Sequence, residues 1–129
     1  MKWVCGILVV LACAGAEAKP TSFTVRGVHV EKDGLWGGQS GGAETPEKCA
    51  HFRLSGEALL HWFRQANEVG VQAWRQDVGQ TSCFAKGTLT TTKGETYNWV
   101  LDRSGQARVH TSATTSVYLS GPELPFASN

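Results

Sequence analysis

Apolar residues recur at helical spacing in one stretch of this chain and alternate with polar residues in several others. Between Gly56 and Val69, Leu59, Trp62, Phe63, Ala66 and Val69 share one face of a helical projection, and Glu57, His61, Arg64 and Glu68 share the opposite one. Ser55 stands where an N-cap hydroxyl is needed, and Glu57 lies in the first turn, where the helix dipole favours an acid. Gly70 is a natural terminator. The pattern predicts an amphipathic helix over 56–69 with one face on a core and the other in water.

Period-two alternation marks the strands. Phe23-Thr24-Val25 alternates, Gly27 interrupts, and Val28-His29-Val30 resumes on the other parity, which predicts a strand bulged or bent at Gly27. A threonine-rich run from Lys86 to Thr92 leads to a tight turn at Lys93-Gly94. Thr96 to Asp102 then puts Tyr97, Trp99 and Leu101 on one face. Ser104-Gly105 turns the chain again, Ala107 and Val109 alternate with Arg108 and His110, and Val117-Tyr118-Leu119 follows a polar segment. Four short strands joined by tight turns predict an antiparallel meander. The expected architecture is therefore α+β: one helix packed on a four- to five-stranded, mainly antiparallel sheet, with the N-terminal strand added at an edge. Trp62 and Trp99 are expected to face each other across the helix–sheet interface. Asp33 to Glu47, rich in glycine, reads as a long loop carrying Trp36.

The first residues obey a different logic. Met1-Lys2-Trp3 is a short positive start, Val4 to Ala14 is almost wholly apolar, and Ala16-Glu17-Ala18 has the small-x-small form of a cleavage site. That apolar run is shorter than the roughly 20 residues a membrane-spanning helix needs. Residues 1–18 are thus expected to be a secretory signal, leaving 19–129 as a single domain with no transmembrane segment. The competing reading is a buried N-terminal helix. A second route to export exists, because Val10-Leu11-Ala12-Cys13 has the shape of a bacterial lipoprotein box, in which Cys13 is acylated and tethers the chain to a membrane.

Processing sharpens the cysteine count. Of four cysteines, Cys5 leaves with the signal and Cys13 leaves or is lipidated, so Cys49 and Cys83 remain. Two cysteines in an exported domain favour one disulfide, which stabilises by roughly 3–4 kcal/mol for a loop of this length. Composition narrows the partners. A net charge of +1 offers no electrostatic footprint for nucleic acid or an anionic membrane, and five Trp, five Phe and two Tyr argue against disorder.

Candidate chemistry is sparse. Cys83 with a histidine would make a thiol nucleophile and its base, but the disulfide competes for that sulfur. Cys49-x-His51 with His61 matches no standard zinc spacing, and Glu57-x3-His61 lacks the second histidine of a helical metal site. Gly34 to Gly42 lacks the Gly-Lys-Ser/Thr of a phosphate loop, and the serines lack a nucleophile elbow. Asp77, Glu95 and Asp102 are available as paired carboxylates, yet nothing in the sequence ties two of them together. No catalytic residue, metal or cofactor is therefore expected. Trp36 with Gly37 and Gly38 is the candidate partner-binding feature, since an exposed tryptophan in a glycine-rich segment suits a contact surface. The alternative is a Trp36 that folds back as a plug over the sheet. Trp74 is expected to be a core or sheet-edge anchor.

Cys49-x-x-Phe52, Trp62-Phe63 with Ala66, Ser82-Cys83-Phe84-Ala85-x-Gly87-Thr88-Leu89, Trp99, Val117-Tyr118-Leu119 and Pro125-Phe126-Ala127 together resemble a group of small exported bacterial proteins of unassigned function. The likeness covers residues 49–127 and implies an exported α+β domain, without implying any catalytic residue. Some members of that group carry further cysteines near the C-terminus, and Ser120 to Glu123 has none. The expectation is a small exported, noncatalytic binding protein of the bacterial envelope, of inhibitor or immunity type, whose partner is a protein in the envelope or medium. Its location is the periplasm or the exterior, lipid-anchored if Cys13 is acylated. Two alternatives stay open: a structural envelope component without a discrete ligand, and a small secreted cell-wall hydrolase.

Overall fold

The alternating C-terminal half forms the centre of the molecule. The computed structural model describes residues 19–38, 44–77, 81 and 83–126. Residues 1–18, with Cys13, the middle of the glycine-rich stretch and Ser82 lie outside them. Along the described residues run β1 (Lys19–Pro20), β2 (Val25–Trp36), α1 (Pro46–Cys49), α2 (Gly56–Gln65), β3 (Asn67–Val69), α3 (Val71–Asp77), β4 (Cys83–Thr91), β5 (Thr96–Asp102), β6 (Gln106–His110) and β7 (Ser116–Ser120). One antiparallel sheet collects all seven strands in the order β1-β3-β7-β6-β5-β4-β2. The class is α+β, with more strands and more helices than the four to five strands and one helix expected.

The meander β4–β7 has the expected turns. One parity of each strand forms a shared buried face: Ala85 and Leu89 on β4, Trp99 and Leu101 on β5, Ala107 and Val109 on β6, Leu119 on β7. Against this face α2 places Leu59, Trp62 and Phe63, all buried. Each such side chain withdrawn from water contributes roughly 1.5–3 kcal/mol. Phe63, not Trp62, meets Trp99, edge-on at 5.6 Å between ring centroids. Trp62 turns instead to the C-terminal segment, where its Nε1 donates to the Pro122 carbonyl at 2.8 Å. The expected Trp62–Trp99 pair is thus replaced by a Trp62–Phe63–Trp99 chain, the first two rings 5.1 Å apart.

Two boundaries differ from the sequence pattern. The helix stops at Gln65 and not at Val69. Ala66 is already extended (φ −67°, ψ 150°), although its N–H still donates to Trp62 O. Asn67–Val69 then pair with Ser120, Leu119 and Tyr118 of β7, whose edge would otherwise carry open backbone groups. Gly70 stands immediately before α3, its carbonyl accepting from Trp74 N at 3.0 Å, where it was expected to end α2. The glycine-rich stretch is likewise no loop at its start. Asp33 to Trp36 complete β2, which pairs with β4 through shifts at Val25/Gly27, Val30/Lys32 and Lys32/Leu35. The first of these is the bulge that the phase slip at Gly27 predicts.

Candidate functional site

Trp36 stands at the end of an edge strand, not in a loop. It lies opposite Cys83 in the β2–β4 ladder, and its residue surface is 42% exposed. Gly37 and Gly38 follow it, both exposed. Behind this strand end the chain is closely tied. Cys83 is bonded to Cys49 across 34 residues, both sulfurs buried. Gly34 adopts φ +63°, which favours glycine, and a Cβ there would lie 3.2 Å from Cys49 O, so a side chain at this position would crowd the C-terminal end of α1 where it approaches β2. Asp33 accepts from Leu54 N at 2.8 Å.

The disulfide is flanked by a polar clasp. Thr81 Oγ1 donates to the Glu44 carboxylate and accepts from Cys83 N. Arg103 reaches Glu44 at 3.1 Å and Glu123 at 3.2 Å, and its guanidinium carbon lies 4.4 Å from the Phe126 ring centroid. Four distant segments of chain meet here. The Glu44 carboxylate and the two sulfurs lie within 4.8 Å of one another, and no other group of three potential ligands occurs among the described residues. With the sulfurs joined, neither is a thiolate, so the cluster serves as a clasp and Cys83 is no nucleophile in this form.

The histidines and carboxylates singled out by sequence are dispersed. His29, His51 and His61 are exposed, and His61 is hydrogen-bonded to Gln65 on its own helix. Glu95 and Asp102 flank opposite ends of β5, about 23 Å apart at the rise of a strand. Paired carboxylates in glycoside hydrolysis stand within about 10 Å. Near Glu95 a hollow of about 380 Å³ is lined by Thr91, Lys93 and Tyr97, among others. Its polar groups mostly bond one another: Thr91 Oγ1 accepts from Lys93 N and Glu95 N. A hydrogen bond to Glu95 holds the Tyr97 phenol above its ordinary pKa.

A second hollow lies on the sheet face turned away from α2. Tyr118 alternates with the buried Leu119 and so points outward, and α3 covers it through Trp74, ring centroids 4.9 Å apart. Beside them Trp74, Val100, Asp102, Gln106, Arg108 and His110 line a groove of about 260 Å³. Among the described residues, the buried Trp74 Nε1 and Gln106 Oε1 have no hydrogen-bond partner. Arg108 Nε donates to Ser116 Oγ at 3.2 Å, and that hydroxyl is 3.2 Å from His110 Nδ1. Asp102 accepts from Ser104 Oγ at 2.6 Å and from Gln106 N at 3.2 Å, while burial pushes its pKa up. Sequence reasoning missed this groove. The alternation of Arg108 and His110 with Ala107 and Val109 was the available signal, but the cover supplied by α3 was not.

No protein-family model, curated protein or solved structure matches the chain. Among the described residues, no helix is long and apolar enough to cross a membrane.

Proposed function

We propose that the chain is a small exported, noncatalytic binding protein of the bacterial envelope, of inhibitor or immunity type, that acts by protein–protein contact through Trp36, Gly37 and Gly38. The observation that supports this most is a large apolar side chain, exposed at the end of β2 and backed by the disulfide. A preorganised aromatic anchor loses little freedom on binding, which is why tryptophan is enriched where interface energy concentrates. The resemblance over residues 49–127 to small exported bacterial proteins points the same way, and a buried disulfide is compatible with export.

Immobilised protein should capture a stoichiometric partner from envelope extract, identified by mass spectrometry and then purified. Trp36→Ala should weaken that defined complex about 30-fold, a loss of about 2 kcal/mol, while thermal stability stays within about 0.5 kcal/mol. Normal capture combined with a large loss of stability would make Trp36 a plug of the fold and remove it from the interface. Turnover of murein by the purified protein would favour the hydrolase reading instead.

A further inference from the structure

Charge nearly cancels over the whole chain, but it is not evenly spread. The sheet registers set Lys32 of β2, Lys86 of β4, Val100 of β5 and Arg108 of β6 side by side in one row across the strands. All four are exposed, on the face turned away from α2. Among the described residues none of the three cations has an ion-pair partner. Two acids border the row. Glu31, the residue skipped in the β2–β4 register, stands beside Lys32, and Asp102 is bound into its own turn by Ser104 and Gln106. The next row along the strands is His29, Thr88, Asn98 and His110, again in register and able to donate and accept.

The sheet curves away from these rows. β1 and β2 are its opposite edges, yet only residues 21–24 join them. That link reaches at most about 18 Å, whereas seven flat strands would hold the edges about 29 Å apart. The link is also fastened at the end of α2, where Thr21 Oγ1 donates to Ala66 O and Arg64 Nε donates to Val25 O. The sheet therefore curls around α2, and its outer face is convex. A planar bilayer or a stiff duplex would touch such a face only along its crest, while a flexible chain can follow it.

Strands stand about 4.8 Å apart, close to the length of one sugar ring in a polysaccharide. A chain laid across the strands with a carboxylate on each ring meets the cationic row with its charges and the second row with its hydroxyls. A protein partner fits less well, because protein interfaces centre on aromatic and other apolar anchors and are poor in lysine, and Val100 is the one apolar side chain among these four. We propose that this face binds an extended acidic polysaccharide of the uronic acid type, its carboxylates on Lys32, Lys86 and Arg108 and its ring hydroxyls on Thr88 and Asn98. The surface is separate from the Trp36 end of β2, so either can fail without the other.

The test is an ¹⁵N–¹H titration of the oxidised protein with oligogalacturonate and with its methyl ester, which keeps the hydroxyls and loses the charges. The free acid should shift the amides of Lys86, Thr88, Asn98, Val100 and Arg108 saturably, and the ester should not. About 1 M salt, which confines charge interactions to about 3 Å, should abolish the shifts. Lys86→Gln combined with Arg108→Gln should weaken binding about tenfold at an unchanged melting temperature, because both side chains are exposed. Trp36→Ala should leave it unaltered. The absence of saturable shifts at millimolar sugar, or equal binding of acid and ester, overturns the proposal. Tighter binding of polyglutamate, phosphatidylglycerol vesicles or duplex DNA overturns it in favour of an acidic protein, a membrane or a nucleic acid respectively.

Discussion

At the scale of single residues, the pairing of β2 with β4 turns on Gly87. Opposite Val30 in the ladder, it allows β2 to lie close to β4 while Trp99 fills the space beneath. A Cβ at this position would press on His29 O and lie 2.8 Å from Trp99 Cζ2. Neither neighbour yields easily: the carbonyl belongs to a paired strand, and Trp99 is fully buried against Phe63. Gly87→Ala should therefore destabilise by roughly 2–3 kcal/mol, read as a lower urea midpoint at unchanged slope. An unchanged midpoint would mean that the β2–β4 contact opens at no cost. Alternation made Trp99 and Leu101 legible as core residues from sequence. The demand at Gly87 was not legible, because a glycine among threonines says nothing about what lies above and below it. The Glu44–Arg103–Glu123 clasp was equally hidden, since its members are joined only by the fold.

At the scale of elements, what the sequence could announce was whatever local signals decide. Lys93-Gly94 and Ser104-Gly105 bound strands whose alternation persists between them, and the observed β4, β5 and β6 follow. Asn67–Val69 continue the helical spacing of α2, so local pattern misassigns them. Their identity as β3 is set by the open edge of β7, a tertiary fact. Glycine content concealed the end of β2 in the same way. The groove inherits this blindness, because α3 reaches the outer face only after β3 has turned the chain onto β7. Within the groove, Asp102 gives a prediction with a definite sign. Burial raises its pKa in the folded protein above its unfolded value, so the folded state holds the proton more tightly. Its contribution to stability is then most favourable below the unfolded carboxylate pKa, about 3.9, and is lost as pH rises through the folded value. Asp102→Asn should be more stable than the parent at neutral pH, and the difference should close as pH falls toward about 3. Melting temperatures of the two proteins across that range check it. A gap that widens on acidification would show that hydrogen bonds from Ser104 and Gln106, not burial, govern this carboxylate.

At the scale of the whole molecule, the disulfide and the apolar run of residues 1–18 bear on one question, the compartment in which the fold is completed. Cys49 and Cys83 join the turn after the glycine-rich stretch to the first residue of β4, and the pair closes 34 residues that include α2, β3 and α3. Without the bond the unfolded chain gains the freedom of that loop, so Cys49→Ser with Cys83→Ser should lose roughly 3–4 kcal/mol. A chain this dependent on one bridge would be poorly served by a reducing cytosol. Export and oxidation should therefore be found together, and intact mass reads both at once. Protein recovered from the periplasm or medium should begin at Lys19 and weigh two hydrogens less than its reduced sequence. Acylation would instead yield a chain beginning at Cys13, with the added mass of its lipid and the same missing hydrogens. A full-length mass starting at Met1, in which all four cysteines are free thiols, would sink the exported reading. It would also return both sulfurs, beside Glu44, to the pool of metal-binding groups.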